Sequence, residues 1–163
     1  MDDRLYFAYG SNMNPARMAA LGVSWQRREA AILPGWRLSF SKRASDAPPA
    51  LPAAYATVVA DAGAWTEGVL YTLAADADWL LLDAFENLYE RRRVRVVTGG
   101  TAGAANARTC EADVYVALPS VCADGLLPEC WYVGHLLQAC DLLSPAWCRN
   151  LRALSMLQSV PRW

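Results

Sequence analysis

Two stretches of this 163-residue chain hold side chains whose types and spacing could do chemistry. The first is Tyr6-Phe7-Ala8-Tyr9-Gly10-Ser11-Asn12, an aromatic, apolar strand pattern that stops at three turn formers. A strand ending this way ahead of a helix start leaves several backbone N–H groups without a ladder or helix partner. Such groups form a nest for a carboxylate or a developing oxyanion. Gly10 permits positive φ and close approach of backbone to a ligand. The same residues also read as an ordinary tight turn.

The second stretch is Leu82-Asp83-Ala84-Phe85-Glu86-Asn87. Trp79, Leu82, Phe85 and Glu86 fall at i, i+3, i+6 and i+7, which puts Glu86 at the end of a helix and on its apolar face. A carboxylate is disfavoured at a helix C-terminus, where the dipole favours cations. On an apolar face it is also desolvated, which raises its pKa toward a useful general-base value. The competing reading is a solvated helix end, or an ion pair with the run Arg91 to Arg93. Asp83 reads as a structural group at the helix end.

Other constellations are weaker. Ser11, Ser39, Ser41 and the lone His135 lack a G-x-S-x-G elbow, and His135 reads as a packing or surface residue. Arg91-Arg92-Arg93-Val94-Arg95 reads as a half-solvated strand, with an anion-binding patch as the alternative. The glycines between 99 and 103 precede a strand instead of a helix, which does not fit a dinucleotide fingerprint. Cys110, Cys122, Cys130, Cys140 and Cys148 form no C-x-x-C pair and read as small buried hydrophobes in a reducing compartment. With one histidine and scattered cysteines, no metal site is expected.

These residues must be positioned by a scaffold whose elements are legible. Residues 4–9 read as a buried strand, and Asn14-Pro15 as N-cap and first position of a short helix ending before Gly22. Strands are expected over 26–33 and 37–41 around a Pro34-Gly35 turn, and over 54–60 and 64–73 around 61–63, with a proline-rich loop over 42–52. A helix over 76–86 follows. Strands over 89–98 and 108–117 flank a loose Gly/Ala tip. The chain then turns helical over 129–140 and again from Ser144-Pro145, with Leu151, Leu154 and Leu157 as the last stripe. Consecutive strands without strict βαβ alternation make the class α+β. About six strands could close into a small barrel and remove their edges.

Composition narrows the function. Hydrophobic residues make up 55% and charged residues 19%, which excludes a disordered chain. Fifteen Lys+Arg against 16 Asp+Glu gives a net charge of −1, without the basic footprint of nucleic-acid or anionic-membrane binding. No apolar run reaches the ~20 residues that cross a bilayer, and the first residues lack a secretory pattern. The expectation is one domain over 1–163, cytoplasmic, with a small-molecule ligand and neither a nucleic-acid nor a membrane partner.

Taken together, Tyr6-Phe7-Ala8-Tyr9-Gly10-Ser11-Asn12-Met13-Asn14, Leu33-Pro34-Gly35-Trp36-Arg37-Leu38, Glu67-Gly68-Val69-Leu70-Tyr71 and Leu82-Asp83-Ala84-Phe85-Glu86 with Tyr89-Glu90-Arg91-Arg92 resemble the γ-glutamylcyclotransferase-like family. The late helix with Tyr132 and the Leu142-Leu143-Ser144-Pro145 turn extend the resemblance to about residue 154. It implies a small mixed β-barrel of about six strands with flanking helices. It also implies a cofactor-free enzyme that cyclises a γ-glutamyl amide, amine or peptide to 5-oxoproline and frees the amine. By the same resemblance Glu86 is the catalytic base, Tyr6, Phe7, Ala8, Tyr9, Gly10, Ser11 and Asn12 hold the glutamyl group, and Tyr115 contacts substrate. The residue after the glutamate, glycine in most of the family, is Asn87 here, and an asparagine tolerates positive φ. The alternative is a non-catalytic relative that binds a glutamyl-like ligand or a protein partner.

Overall fold

The computed structural model describes residues 4–45, 47, 52–101 and 103–158. The aromatic N-terminal stretch forms β1 (Leu5–Ala8), followed by a 3-10 turn (Ser11–Met13) and helix α1 (Pro15–Ala20). Asn14 caps α1 through its side chain, which accepts from the Ala16 N–H at 3.0 Å, with Pro15 at the first position. Two long strands come next, β2 (Trp25–Arg43) and β3 (Ala53–Leu73), then α2 (Ala77–Phe85), β4 (Tyr89–Thr98) and β5 (Arg108–Ala117). A two-residue β6 (Leu127–Pro128), α3 (Cys130–Leu137) and α4 (Pro145–Arg152) complete the described chain.

The sheet order is β1-β5-β4-β2-β3-β6, and β1 also pairs with β3. That second pairing closes five strands into a barrel and leaves β6 as an outer addition on β3. Closure removes the free edges that an open sheet must protect. β1 runs antiparallel to β3 (Phe7↔Leu70, Ala8↔Val69) and parallel to β5 (Tyr6↔Asp113). It is therefore the seam of the barrel. The core holds Phe7, Leu33, Val58, Val69, Tyr71, Val96 and Val114, all fully buried or nearly so. Each such aliphatic or aromatic side chain contributes about 1.5–3 kcal/mol of transfer free energy before entropy is counted.

The barrel and helices match the α+β expectation, and several boundaries differ. The two breaks expected among the four strands between 26 and 73 lie opposite one another inside one continuous hairpin. Trp36 pairs with Ala60 and Pro34 with Trp65, so residues 61–64 bulge out against Gly35 (φ 80°) and the ladder resumes on both sides. Lys42 and Arg43 belong to β2 and not to a loop; of the proline-rich segment expected there, residues 46 and 48–51 lie outside the described residues. α3 ends at Leu137, short of Cys140, and α4 ends at Arg152. Leu157 lies beyond that helix, where its backbone bonds Pro128 and Cys130 beside β6.

One cysteine expectation is corrected. Cys140 and Cys148 form a disulfide, while Cys110, Cys122 and Cys130 are in none. The turn after α3 and the first turn of α4 bring the two Cα atoms to 6.0 Å, within bridging range. Ser144 caps α4 as expected, accepting from the Trp147 N–H at 3.1 Å. The cap is itself held by Glu67 of β3, whose carboxylate accepts from the Ser144 backbone N–H and hydroxyl at 2.8 and 2.6 Å.

Candidate active site

Glu86 is the residue at which the two chemical stretches meet. It occupies the C-cap of α2, with its N–H donating to the Leu82 carbonyl at 2.8 Å. Trp79 and Leu82 of that helix are buried, whereas Phe85, expected on the same stripe, is exposed beneath the Arg17 guanidinium. The cause is local. The helix stops at Phe85, and the chain leaves through a tight turn in which Leu88, not Asn87, takes the left-handed conformation (φ 67°). The Tyr89 N–H then donates to the Glu86 carbonyl at 3.2 Å, starting β4.

The Glu86 carboxylate points toward β1. Its Oε1 accepts from Asn12 Nδ2 at 2.7 Å, and the same Nδ2 lies 3.0 Å from the Tyr6 hydroxyl. Burial raises the carboxyl to a pKa of about 7, against the opposing pull of the Arg17 and Lys42 cations and the Asn12 hydrogen bond. The alternative pairing with the arginine run is absent. Arg91 pairs with Asp83 at 3.6 Å, Arg92 with Glu90 at 3.0 Å, and Arg93 with Asp113 at 3.4 Å. The run is thus a half-solvated strand whose charges are met by neighbouring carboxylates.

The Gly10–Asn12 turn is fixed from behind. The Tyr71 hydroxyl donates to the Asn12 carbonyl at 2.8 Å and lies 3.2 Å from that of Met13. Gly10 has a negative φ of −111°, so its value lies in space. A Cβ there would sit 3.1 Å from the Tyr132 hydroxyl and 3.5 Å from Ala56. Ser11 and Asn12 open a helical turn, so their backbone N–H groups have no intrahelical carbonyl to bond. Asn12 is buried, and its Oδ1 is without a partner among the described residues.

Of the residues singled out in sequence, Tyr6, Tyr9, Gly10, Ser11, Asn12, Glu86 and Tyr115 line one small recess. Phe7 and Ala8 do not. Both are buried within the barrel, Phe7 packed on Gly68 and Ala8 paired with Val69 of β3. Tyr115 is held in place by donating its hydroxyl to Asp83 at 2.6 Å, and the Tyr9 hydroxyl donates to the Tyr115 carbonyl. Asp83 is therefore a structural group, as its position indicated. His135 faces Asn14 at 3.0 Å and the edge of Trp131. Burial holds the hydroxyls of Tyr6, Tyr9, Tyr89 and Tyr132 above the usual phenol range, so all four are neutral donors at physiological pH.

Sequence reasoning did not find four further groups. Tyr132 accepts from the Ala56 N–H at 3.0 Å, and Tyr89 donates to the Ala56 carbonyl at 2.8 Å, so both hydroxyls are pinned at the recess. Lys42 is buried with its Nζ over the rings of Tyr55 and Tyr89, at 5.2 and 5.3 Å from their centroids. Arg17 reaches the same region from α1. Neither had a signal in the sequence: Lys42 fell in an expected loop, and nothing marked Arg17. No cluster of three metal-ligating side chains occurs among the described residues, and none of their helices is long and apolar enough to cross a membrane.

The Glu86 environment has a stability consequence. Its carboxyl titrates near 7 in the fold and near 4.5 when solvated. The folded state therefore holds the proton more tightly between those values, and Glu86 favours folding less as pH rises from about 4.5 to 7. Melting temperatures of wild type and Glu86→Gln across that window are expected to diverge, with the wild type falling relative to the variant as pH rises. Parallel curves would contradict a desolvated carboxyl.

Comparison with known proteins places these features in a group. The family model described as gamma-glutamyl cyclotransferase, AIG2-like, matches residues 6–133, spanning β1, Glu86 and Tyr132. No curated protein matches in sequence. A solved structure described as gamma-glutamyl cyclotransferase superposes with a TM-score of 0.78 at 19% identity, covering 97% of this chain and 91% of that one. An uncharacterised protein from Homo sapiens gives 0.79 at 18% identity, with 99% and 94% covered. YkqA from Bacillus subtilis gives 0.71 at 27% identity, covering 93% of this chain and 55% of the other. At 19 and 18% identity the first two likenesses show the fold alone.

Proposed function

The chain belongs to the gamma-glutamyl cyclotransferase, AIG2-like family, and from that premise we propose that it is a γ-glutamylcyclotransferase whose general base is Glu86. The observation that supports this most directly is the Glu86 carboxylate. It is desolvated, poised near pKa 7, and hydrogen-bonded to Asn12 at a recess walled by the Gly10–Asn12 turn. An ordinary carboxylate is a poor match for an ammonium proton, and raising its pKa narrows the gap.

In this reading the glutamyl α-ammonium lies between Glu86 and Asn12 Oδ1, which has no partner among the described residues. Glu86 removes a proton, and the freed amine attacks the γ-carbonyl carbon of its own chain. The new C–N bond closes a five-membered ring. As the tetrahedral adduct collapses, the ring nitrogen gives up a second proton, the bond to the leaving nitrogen breaks, and both protons lost by the α-nitrogen pass to the leaving nitrogen with Glu86 as the relay, giving 5-oxoproline and the departing group as its ammonium. The N–H groups of the Ser11–Asn12 turn and the neutral tyrosine hydroxyls are suited to the substrate carboxylate and the developing oxyanion. The nucleophile comes from the substrate, so the protein's task is to hold a flexible chain in a near-attack pose. Such positioning is worth several orders of magnitude. No step calls for a metal or cofactor.

The test is incubation of the purified chain with γ-glutamyl compounds and their α-linked isomers, with 5-oxoproline read by mass spectrometry. Release from γ-linked substrates alone is expected, because in α-linked isomers the amine and the scissile carbonyl are not placed for five-ring closure. Equal turnover of both isomers, or none of either, would reject the proposal.

A further inference from the structure

The groove around Glu86 has two chambers of different character. The inner one, about 30 Å³, lies between the tyrosines and the Gly10–Asn12 turn. It has room for about two water-sized groups, enough for one polar end of a ligand. The outer one, about 260 Å³, opens on the other side of Glu86. It carries Arg17 and Lys42 against the aromatic faces of Tyr55, Phe85 and Trp131, and Glu86 is the single carboxylate among the described residues that line it.

Arg17 is the distinctive member. It stands on α1, one short helix away from the turn that faces the inner chamber. Its guanidinium lies over the Phe85 ring at 4.9 Å and pairs with no carboxylate among the described residues. Its Nε is buried without a hydrogen-bond partner. A guanidinium stacked on an aromatic ring is held in plane, and its fork of donors matches a carboxylate.

With the α-ammonium end of the glutamyl group in the inner chamber, the rest of the substrate extends into the outer one, the leaving group with it. We propose that Arg17 is a specificity-determining residue that pairs with a carboxylate on the leaving group, so that γ-glutamyl amino acids and peptides are favoured over γ-glutamyl amines. This rests on the reading of Glu86 as the base of a γ-glutamyl cyclisation. Lys42 adds to the positive potential of the chamber, and the aromatic faces accommodate side chains of varied shape. An anion placed here would otherwise meet the Glu86 charge, and Arg17 offsets that repulsion.

The experiment compares γ-glutamyl-alanine with γ-glutamyl-ethylamide, which is the same molecule without the distal carboxylate. Wild type is expected to favour the alanine compound by at least about tenfold in kcat/KM, the order expected for a hydrogen-bonded charge pair. Arg17→Met should lose that preference, mainly through KM, and Arg17→Lys should retain part of it. Wild-type turnover of both compounds within about twofold would overturn the proposal whatever the variants do. Equal losses on both compounds in Arg17→Met would also overturn it, by making Arg17 a support for Phe85 alone. Absence of 5-oxoproline from either compound with folded wild type would instead overturn the cyclotransferase reading, and this proposal with it.

Discussion

Glu86→Gln is expected to lower 5-oxoproline release by at least ~10²–10⁴-fold, the usual contribution of a positioned general base, without weakening the fold. Glutamine keeps the size of the side chain and an oxygen that can accept from Asn12 Nδ2, so the 2.7 Å contact survives. What disappears is a carboxylate that burial disfavours and whose nearest cations, Arg17 and Lys42, only partly compensate. The melting temperature at neutral pH should therefore hold or rise, and binding of a non-cleavable γ-glutamyl analogue should persist. A binding protein of the same family gives a different result: it has no turnover to lose. A well-folded Gln variant with near-wild-type turnover would assign the chemistry to another group.

Gly68→Ala is expected to be strongly damaging, destabilising by about 3 kcal/mol or more, at the upper end of overpacking. A Cβ at this position of β3 would lie 2.4 Å from the Ala8 carbonyl oxygen and 2.6 Å from the Phe7 ring. The first is backbone of the strand that closes the barrel, so nothing can rotate away. For a chain of this size the change corresponds to a drop of about 6–12 °C in Tm. Gly63→Ala in the bulge of the same strand, whose Cβ would meet only an Asp61 oxygen at 3.9 Å, should stay within about 0.5 kcal/mol. Thermal unfolding of the two variants side by side decides the matter, and similar midpoints would mean that β1 and β3 are less tightly apposed than their register indicates.

How much of this was legible in the sequence differs by level. Periodicity and caps located α1, α2, β4, β5 and the Ser144 start of α4, because those signals are local. The Tyr6–Asn12 turn and Glu86 were singled out together, and the fold brings them to 2.7 Å. Pro34-Gly35 and residues 61–63 read as ends of strands because breakers are judged locally. Only pairing across the hairpin shows that each lets the other through as a bulge. Phe7 and Ala8 were named with their neighbours because a contiguous motif does not say which of its residues the barrel buries. Arg17, Lys42 and the Cys140–Cys148 bridge depend on which elements meet, which is a property of topology and not of any window of sequence.

The barrel seam has a consequence for how this site can change and how it can move. β1 is four residues long, yet it is bonded on both sides and runs directly into the turn at the inner chamber. Slow amide exchange of Tyr6, Phe7 and Ala8 is therefore expected, and the turn at the inner chamber is tied to the stability of the barrel itself. Arg17, Phe85 and Trp131, by contrast, sit on or beside helices that pack outside the barrel. Mutational drift in those helices can remodel the outer chamber while the register of the seam stays fixed. An architecture of this kind can vary the lining of its outer chamber while the turn at the inner chamber keeps its place.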